Sequence, residues 1–590
     1  MNIRIKRLKQ TDLLLASGIF CAAVLLFLQS VFFDVDIFDD YFYIRDLQTD
    51  DLPGVLEFIF TPVLKLRSPL VQLSFLADRV LWEKGLLSCG VHAGNIFYHA
   101  AGAVLLYFLC RKLRLRFSGK SLHLTPVWCA AAALIWALHP QRVESVAWIS
   151  ERKDVLLALC FFAALLLLIR FIRTGKGCFW PLGLYLLSFS IKPMLLMFPC
   201  AVLLLLKIET GRFFSRKNIR ILLPYVLICF AALLYLFPAA FSGNRGAGQL
   251  WGRSAIVLHN IGNYFQSAVL PGKLVPFYPM YHPAESTLLY TGLFALLLCL
   301  PLVVFRQQRE LRNILFLTLL LFPVMLAPVC GFIRIGNADW ADRYNLLPSC
   351  FLLLPAVFLL RKWSVSPHLR PVIMAGTAVY LLYLTVQTAC YLPVWRSYKS
   401  VLTGSVENIS RPNYRIVFLA SFCAFIEKDY PLARDTALTV KPEDAATPAD
   451  RKCIALFRET MTGLLEMLSP HQERGGRRLT AVLLTDPQPT LAMIASGYLD
   501  VVTDAAVYWN LKHNKTQTAA LLCRKAVPHT HFPDKKLVYQ IKAALLEKDL
   551  HTAANTIRIL QKRFPQHVLL KDFERQLKTL TTTTDQKNEK

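Results

Sequence analysis

Acidic residues are scarce along most of this chain: 39 Asp and Glu stand against 66 Lys and Arg in 590 residues, a formal net charge of +27. The shortage is local. Segments 1–10, 111–120, 170–176, 207–220, 306–312 and 361–370 together hold 23 Lys and Arg but only two acids, Glu209 and Glu310. Each segment is short and flanks an apolar run, which makes nucleic-acid binding a poor reading of the charge and points to loops beside a membrane. Paired CxxC cysteines are also absent. The fifteen cysteines are scattered, mostly inside apolar runs, and only Cys423, Cys453 and Cys523 lie well outside them. That pattern excludes a disulfide framework and a cysteine metal site, and leaves small packing residues. No small-residue cleavage site follows the first apolar run, because Phe32-Phe33-Asp34 is bulky, so the run is expected to persist as an uncleaved span. No metal constellation is visible either. His92, Asn95 and His99 share one helix face but lack a third good ligand, and read as polar packing or substrate-lining residues.

Apolar residues fill the space. They make up 55% of the chain, and the mean hydropathy is +0.42, as in a polytopic membrane protein. Runs near 12–33, 91–110, 125–140, 153–172, 178–191, 193–208, 219–240, 285–305, 312–331, 344–361 and 370–392 are long enough to cross a bilayer or to pair as shorter hairpins. The stretch 34–89 reverses the charge balance, with ten acids against five bases. By the positive-inside rule all six basic segments are cytoplasmic only if two short helices lie between 177 and 208. The expected fold is therefore an all-α membrane bundle of about eleven spans, amino end inside and carboxyl end outside. Residues 1–393 form this module, 400–578 a polar helical region outside, and 579–590 a Thr-rich disordered tail. Asn514-Lys515-Thr516 and Asp549-Leu550-His551 each begin an amphipathic stretch at an offset of 35 residues, close to the tetratricopeptide period, which suggests a worn repeat domain.

Four polar clusters fall on the outer face of this topology. Asp39-Asp40, in Phe38-Asp39-Asp40-Tyr41-Phe42-Tyr43-Ile44, caps a short interfacial helix or supplies a base, since two adjacent carboxylates near lipid push one pKa upward. The stretch from His139 to Asp154 brings Arg142, Glu144, Glu151, Arg152 and Lys153 to the mouth of two apolar helices, where Arg and Lys suit phosphate oxygens or snorkel as anchors. Asp342-Arg343 precedes another span, as an ion pair or a phosphate contact. Lys192-Pro193 breaks the short hairpin and leaves a lysine that must find water or an anion. Tyr278-Pro279 and the loop 241–284 offer a lid.

Taken in order, FDDYFYI, HPQRVESVAWISERKDVL, SFSIKPM, LPGKLVPFYP and ADWADRYNLLP resemble the O-mannosyltransferase-like membrane family that carries tetratricopeptide repeats (the TMTC type) and its bacterial relatives. The resemblance implies a GT-C fold and an inverting glycosyltransferase that takes a sugar from a polyprenyl-phosphate carrier and passes it to a protein or glycan acceptor. It matches the family's acidic motif to Asp39 and Asp40, one of them the base. Arg152, Lys153, Arg343 and Lys192 are expected at the donor phosphate, and His139, Glu144, Asp342 and His92 along the substrate path. No metal and no cofactor are expected, and the partners are the lipid-linked sugar, the acceptor and membrane lipids. Leu66-Arg67-Ser68-Pro69 departs from the family's aromatic-Arg-Pro string. Two rival readings are an inactive membrane-anchored repeat scaffold and a lipid-sugar transporter, though a transporter places its charges near the midplane. Worn repeats and an ending without a retention signal favour a bacterial inner membrane over the endoplasmic reticulum. The outward sequons Asn408-Ile409-Ser410 and Asn514-Lys515-Thr516 are too short to decide the source.

Overall fold

The computed structural model describes residues 2–40, 43, 52–62, 67–82, 84–117, 120–122, 124–241, 254–272, 274–278, 284–331, 340–407, 412–444, 448–485, 496–530 and 532–588. Tyr41, Phe42, Ile44, Leu66, Pro279, 336–339, much of the loop 241–284 and the sequon at Asn408 lie outside them. The chain divides into two compact units, Met1–Gly404 and Ser405–Lys590.

The first unit is helical: α1 Asn2–Phe27, α2 Leu52–Phe60, α3 Pro69–Leu81, α4 Leu87–Lys112, α5 Pro126–Ala137, α6 Val143–Ala147, α7 Arg152–Thr174, α8 Phe179–Ser188, α9 Phe198–Thr210, α10 Arg216–Phe241, α11 Ser254–Val269, α12 Ala284–Val304, α13 Arg309–Leu326, α14 Cys350–Trp363 and α15 Leu369–Tyr391. One short antiparallel hairpin, β1 Leu115–Phe117 with β2 Lys120–Leu122, interrupts them. A helix lies on each apolar run read from the sequence. Among the described residues, five helices are long and apolar enough to cross a membrane: Gln10–Phe32, Leu87–Lys112, Ile149–Thr174, Arg216–Tyr235 and Leu369–Trp395. The others are short, as α5 and α8 are, or carry a proline within, as at Pro301, Pro323 and Pro355. Two short helices, α8 and α9, flank the break at Lys192-Pro193, where proline cannot continue the helical ladder. The stretches expected as loops hold α2, α3 and α11, whose apolar residues are spaced for helices too short to stand out as spans.

In the second unit α16 Tyr414–Ile426, α17 Tyr430–Leu438, α18 Pro448–Met467, α19 Gln472–Thr485, α20 Ser496–Lys512, α21 Thr516–Ala526, α22 Pro533–Glu547, α23 Leu550–Arg563 and α24 Leu570–Asn588 pack largely on their sequence neighbours. Two turns are built alike. Lys428 and Lys548 take left-handed backbones with φ of 67° and 62°. The next residue then caps a helix: Asp429 accepts from Leu432 N (3.2 Å) and Asp549 from Thr552 N (3.1 Å). The tail expected to be disordered from Thr579 continues as helix to Asn588. Leu577 and Leu580 pack on the core around Phe573, and Thr581 and Thr582 hydroxyls donate to carbonyls four residues back.

Candidate functional site

The start of α7 positions the centre of the site. The 3-10 turn Ile149–Glu151 leads into α7, so Glu151 and Asp154 are three residues apart and fall on one side. Arg152 lies about 100° further round the axis and faces elsewhere. Glu151 gathers three cations. Lys153 Nζ is 3.2 Å and Arg343 Nε 3.4 Å from its Oε1, and Lys192 Nζ is 3.3 Å from its Oε2. Lys192 also pairs with Asp154 at 2.6 Å. Arg343 pairs through its guanidinium with Glu144, which accepts from the Arg343 backbone N–H at 2.9 Å as well. Aromatic faces line the cations, with Arg343 5.5 Å from the Trp148 ring and 4.8 Å from Tyr344, and Lys192 5.3 Å from Tyr344. Three strings distant in sequence thus meet at one ion cluster.

Asp39 and Asp40 play different parts. Asp40 is fully buried, and its two oxygens accept from Ser150 N (2.9 Å) and Ile37 N (3.2 Å). Burial pushes its carboxyl well above the usual range, against the pull of those two N–H groups. Asp39 is partly buried and keeps some contact with solvent. Burial raises its carboxyl too, with Lys153 and Arg343 opposing the rise and Glu151 adding to it. Phe38, just before the pair, holds a left-handed φ of 47°, rare for a bulky residue. Its ring packs on Trp148, Phe277 and Tyr398 at 5.0–5.9 Å, and Trp148 Nε1 donates to Ile37 O at 3.0 Å. That packing turns Asp40 into the protein, while Asp39 keeps some contact with solvent within the field of the cations.

Of the remaining expected residues, Asp342 borders the ions and Arg152, His139 and His92 have other partners. Arg152 is 0% exposed and held within the protein: it pairs with Asp78 (2.5 Å) and donates to Asn95 Oδ1 (2.8 Å) and Val91 O (2.5 Å), with its guanidinium 4.0 Å from the Phe75 ring. A phosphate has no access to it, so the contact expected there is replaced by an internal pair. His139 caps the turn Pro140–Arg142, its Nδ1 accepting from Gln141 N at 3.2 Å. His92 packs edge-to-face on Phe33 at 6.4 Å. On the same helix face Asn95 donates to the Val146 carbonyl (3.3 Å) and His99 meets the Ala137 carbonyl (2.9 Å) and stacks on Trp136, so the row stitches α4 to α5 and α6. Asp342 borders the cluster, accepting from Gln141 Nε2 (3.0 Å) and the Tyr278 hydroxyl (2.9 Å). Burial, then the Glu144 charge, pushes its carboxyl up to about 7. Glu151 and Asp154 were read from the sequence only as members of the polar stretch His139–Asp154, with no role of their own, and Trp148 was given no role. The signal that could have found the first two was their helical spacing beside Lys153. Among the described residues no group of three or more His, Cys, Asp or Glu could hold a metal ion.

No protein-family model matches the chain, and no solved structure matches it. Over 102 residues it is 35% identical to the protein O-mannosyl-transferase TMTC4 of Homo sapiens, a stretch that covers 17% of this chain and 14% of the human protein.

Proposed function

We propose that this chain is a membrane glycosyltransferase that moves a hexose from a polyprenyl-phosphate donor to a hydroxyl of a protein or glycan acceptor. The observation that carries the reading is the partly buried Asp39 carboxylate, which keeps some contact with solvent and feels the charges of Lys153 and Arg343. The likeness to part of a human O-mannosyl-transferase supports it. In this reading the basic loops lie on the cytoplasmic side, about eleven spans cross the bilayer, and the repeat-like second unit stands outside, where it engages the acceptor.

The chemistry follows from the arrangement. Asp39 takes the proton of the acceptor hydroxyl as its oxygen bonds to the anomeric carbon on the face opposite the phosphate. The bond from that carbon to the phosphate oxygen breaks, and polyprenyl phosphate leaves with the electron pair. Lys153, Lys192 and Arg343 hold the growing phosphate charge, and they are fixed before the reaction by Glu144, Glu151 and Asp154. Glu151 holds the three cations together until the donor phosphate takes part of their charge. Asp40 positions Asp39 by locking the turn. A carboxyl raised above the ordinary range binds the transferred proton more firmly.

The test is incubation of purified protein with a panel of polyprenyl-phosphate sugars and acceptors, following consumption of each donor. Asp39→Asn is expected to lower transfer by about 10²–10⁴-fold while donor binding persists. Full transfer by Asp39→Asn, by Asp40→Asn and by the double variant removes the reading.

A further inference from the structure

A second polar feature faces away from the ion cluster. A cavity of about 490 Å³ runs between α5, α14 and α15, with the end of α11 at its rim. That volume is typical of small-molecule sites, roughly 300–1,000 Å³. Its shape is that of an amphiphile. At one end stand His139, Arg142 and Ser349, and from there the walls are apolar as far as Leu360 and Trp363. Ser349 to Trp363 along α14 spans about 21 Å at 1.5 Å per residue.

The polar end is a built site with unused donors. Arg142 is 1% exposed, and its guanidinium donates to three neutral acceptors: Trp136 O (3.0 Å), Asn345 O (3.3 Å) and Ser349 Oγ (2.6 Å). Among the described residues no carboxylate lies within ion-pair distance of it and Asp342 acts on it only from further off, although a buried cation without a contacting counterion is costly. Each of its terminal nitrogens keeps one further N–H. His139 is 2% exposed. Its Nδ1 accepts from Gln141 N, so the neutral ring carries its hydrogen on Nε2. That nitrogen, near the Ala268 carbonyl but outside hydrogen-bonding geometry, has no partner.

We propose that this groove holds one acyl chain of a membrane glycerophospholipid, its phosphodiester seated on Arg142 and the His139 Nε2–H. The anion supplies the contacting counterion that Arg142 lacks, and the chain fills the apolar length. A single fatty-acyl chain suits the volume, whereas a polyprenyl chain of many isoprene units exceeds it. The Gln141–Asp342 and Gln141–Asn345 hydrogen bonds stand between this end and the ion cluster, so the lipid site is separate from the donor phosphate. The inference depends only on the chain lying in a membrane and is independent of sugar transfer.

Gly376 provides the test. It lines the groove, and a Cβ there meets nothing within 4 Å, so a larger side chain fills the space without a backbone clash. Gly183 on α8 is equally open and lies outside the groove lining, which makes it the control. Full-length protein purified in mild detergent is analysed by native mass spectrometry. Wild type and Gly183→Trp are expected to retain one phospholipid, and Gly376→Trp to lose it. When delipidated wild type is offered phosphatidylglycerol or diacylglycerol of the same chains, the phospholipid is expected to bind roughly tenfold more tightly, the worth of one charge-assisted hydrogen bond. Wild type that retains no lipid, Gly376→Trp that retains it unchanged, or a polyprenyl phosphate in its place each overturns the proposal. Equal binding of the two offered lipids overturns the seat on Arg142 and His139.

Discussion

Arg152 separates structure from catalysis most sharply, because the sequence places it among the phosphate contacts and the fold encloses it. Replacing it with methionine keeps much of the side-chain volume but removes the partner of Asp78, which is 5% exposed, and leaves Asn95 Oδ1 and Val91 O without their donor. Breaking a buried pair in this one-sided way costs about 3–5 kcal/mol, because the surviving charge is stranded. Removing both charges, in Arg152→Met with Asp78→Asn, is expected to recover more than half of that loss. Gly94 supplies an independent perturbation: a Cβ there would lie 2.8 Å from Arg152 Nη2 and 3.1 Å from Asp78 Oδ2, so Gly94→Ala strains the same pair. The assay is the fraction of detergent-solubilised protein that stays monodisperse after heating. The expected order of stability is wild type, then the double variant, then Arg152→Met, with the donor KM of any surviving enzyme unchanged. Wild-type stability in Arg152→Met together with a raised donor KM would refute the structural assignment and return Arg152 to the phosphate.

Three further outcomes are expected. Asp39→Asn lowers kcat by about 10²–10⁴-fold, the usual worth of a positioned base, in the transfer assay, and Asp40→Asn loses thermal stability as well as rate because its carboxylate holds two backbone N–H groups. Asp342, ordinarily near 3.8 and held up to about 7, keeps a proton in the folded protein that the unfolded chain has released. Its contribution to stability therefore falls as pH rises from 3.8 to about 7 and is flat above that, and melting temperatures measured across the range should lose this slope in Asp342→Asn. In the second unit a Cβ on Gly475 would meet the Gly463 carbonyl and the Met467 nitrogen, both at 2.7 Å, and backbone cannot yield as a flexible side chain can. Gly475→Ala should separate α18 from α19, seen as faster hydrogen exchange in those helices; unchanged exchange would show the contact to be looser.

Many helices were legible because their apolar runs leave the chain few other ways to satisfy its backbone groups. The helices α2, α3 and α11 were not, since their runs are short and broken by polar residues. The ion cluster was legible in outline: Lys153, Lys192, Glu144 and Arg343 were each singled out and do meet. Which neighbour each would take was not. Arg152 and Lys153 are adjacent and chemically alike, yet a turn of roughly 100° sends one to Asp78 and the other to Glu151.

By itself the sequence determined an all-helical, apolar chain with basic loops and a handful of charges gathered at helix ends, because hydrophobic periodicity and charge placement are local properties written residue by residue. Only the tertiary structure decided that Asp40 turns inward while Asp39 keeps some contact with solvent, that Glu151 gathers three cations, and that His139 and Arg142 face a groove instead of the ions. Those outcomes depend on distances between segments up to about two hundred residues apart, as between Glu144 and Arg343. No local pattern encodes such distances, and burial then sets what each charged group can do.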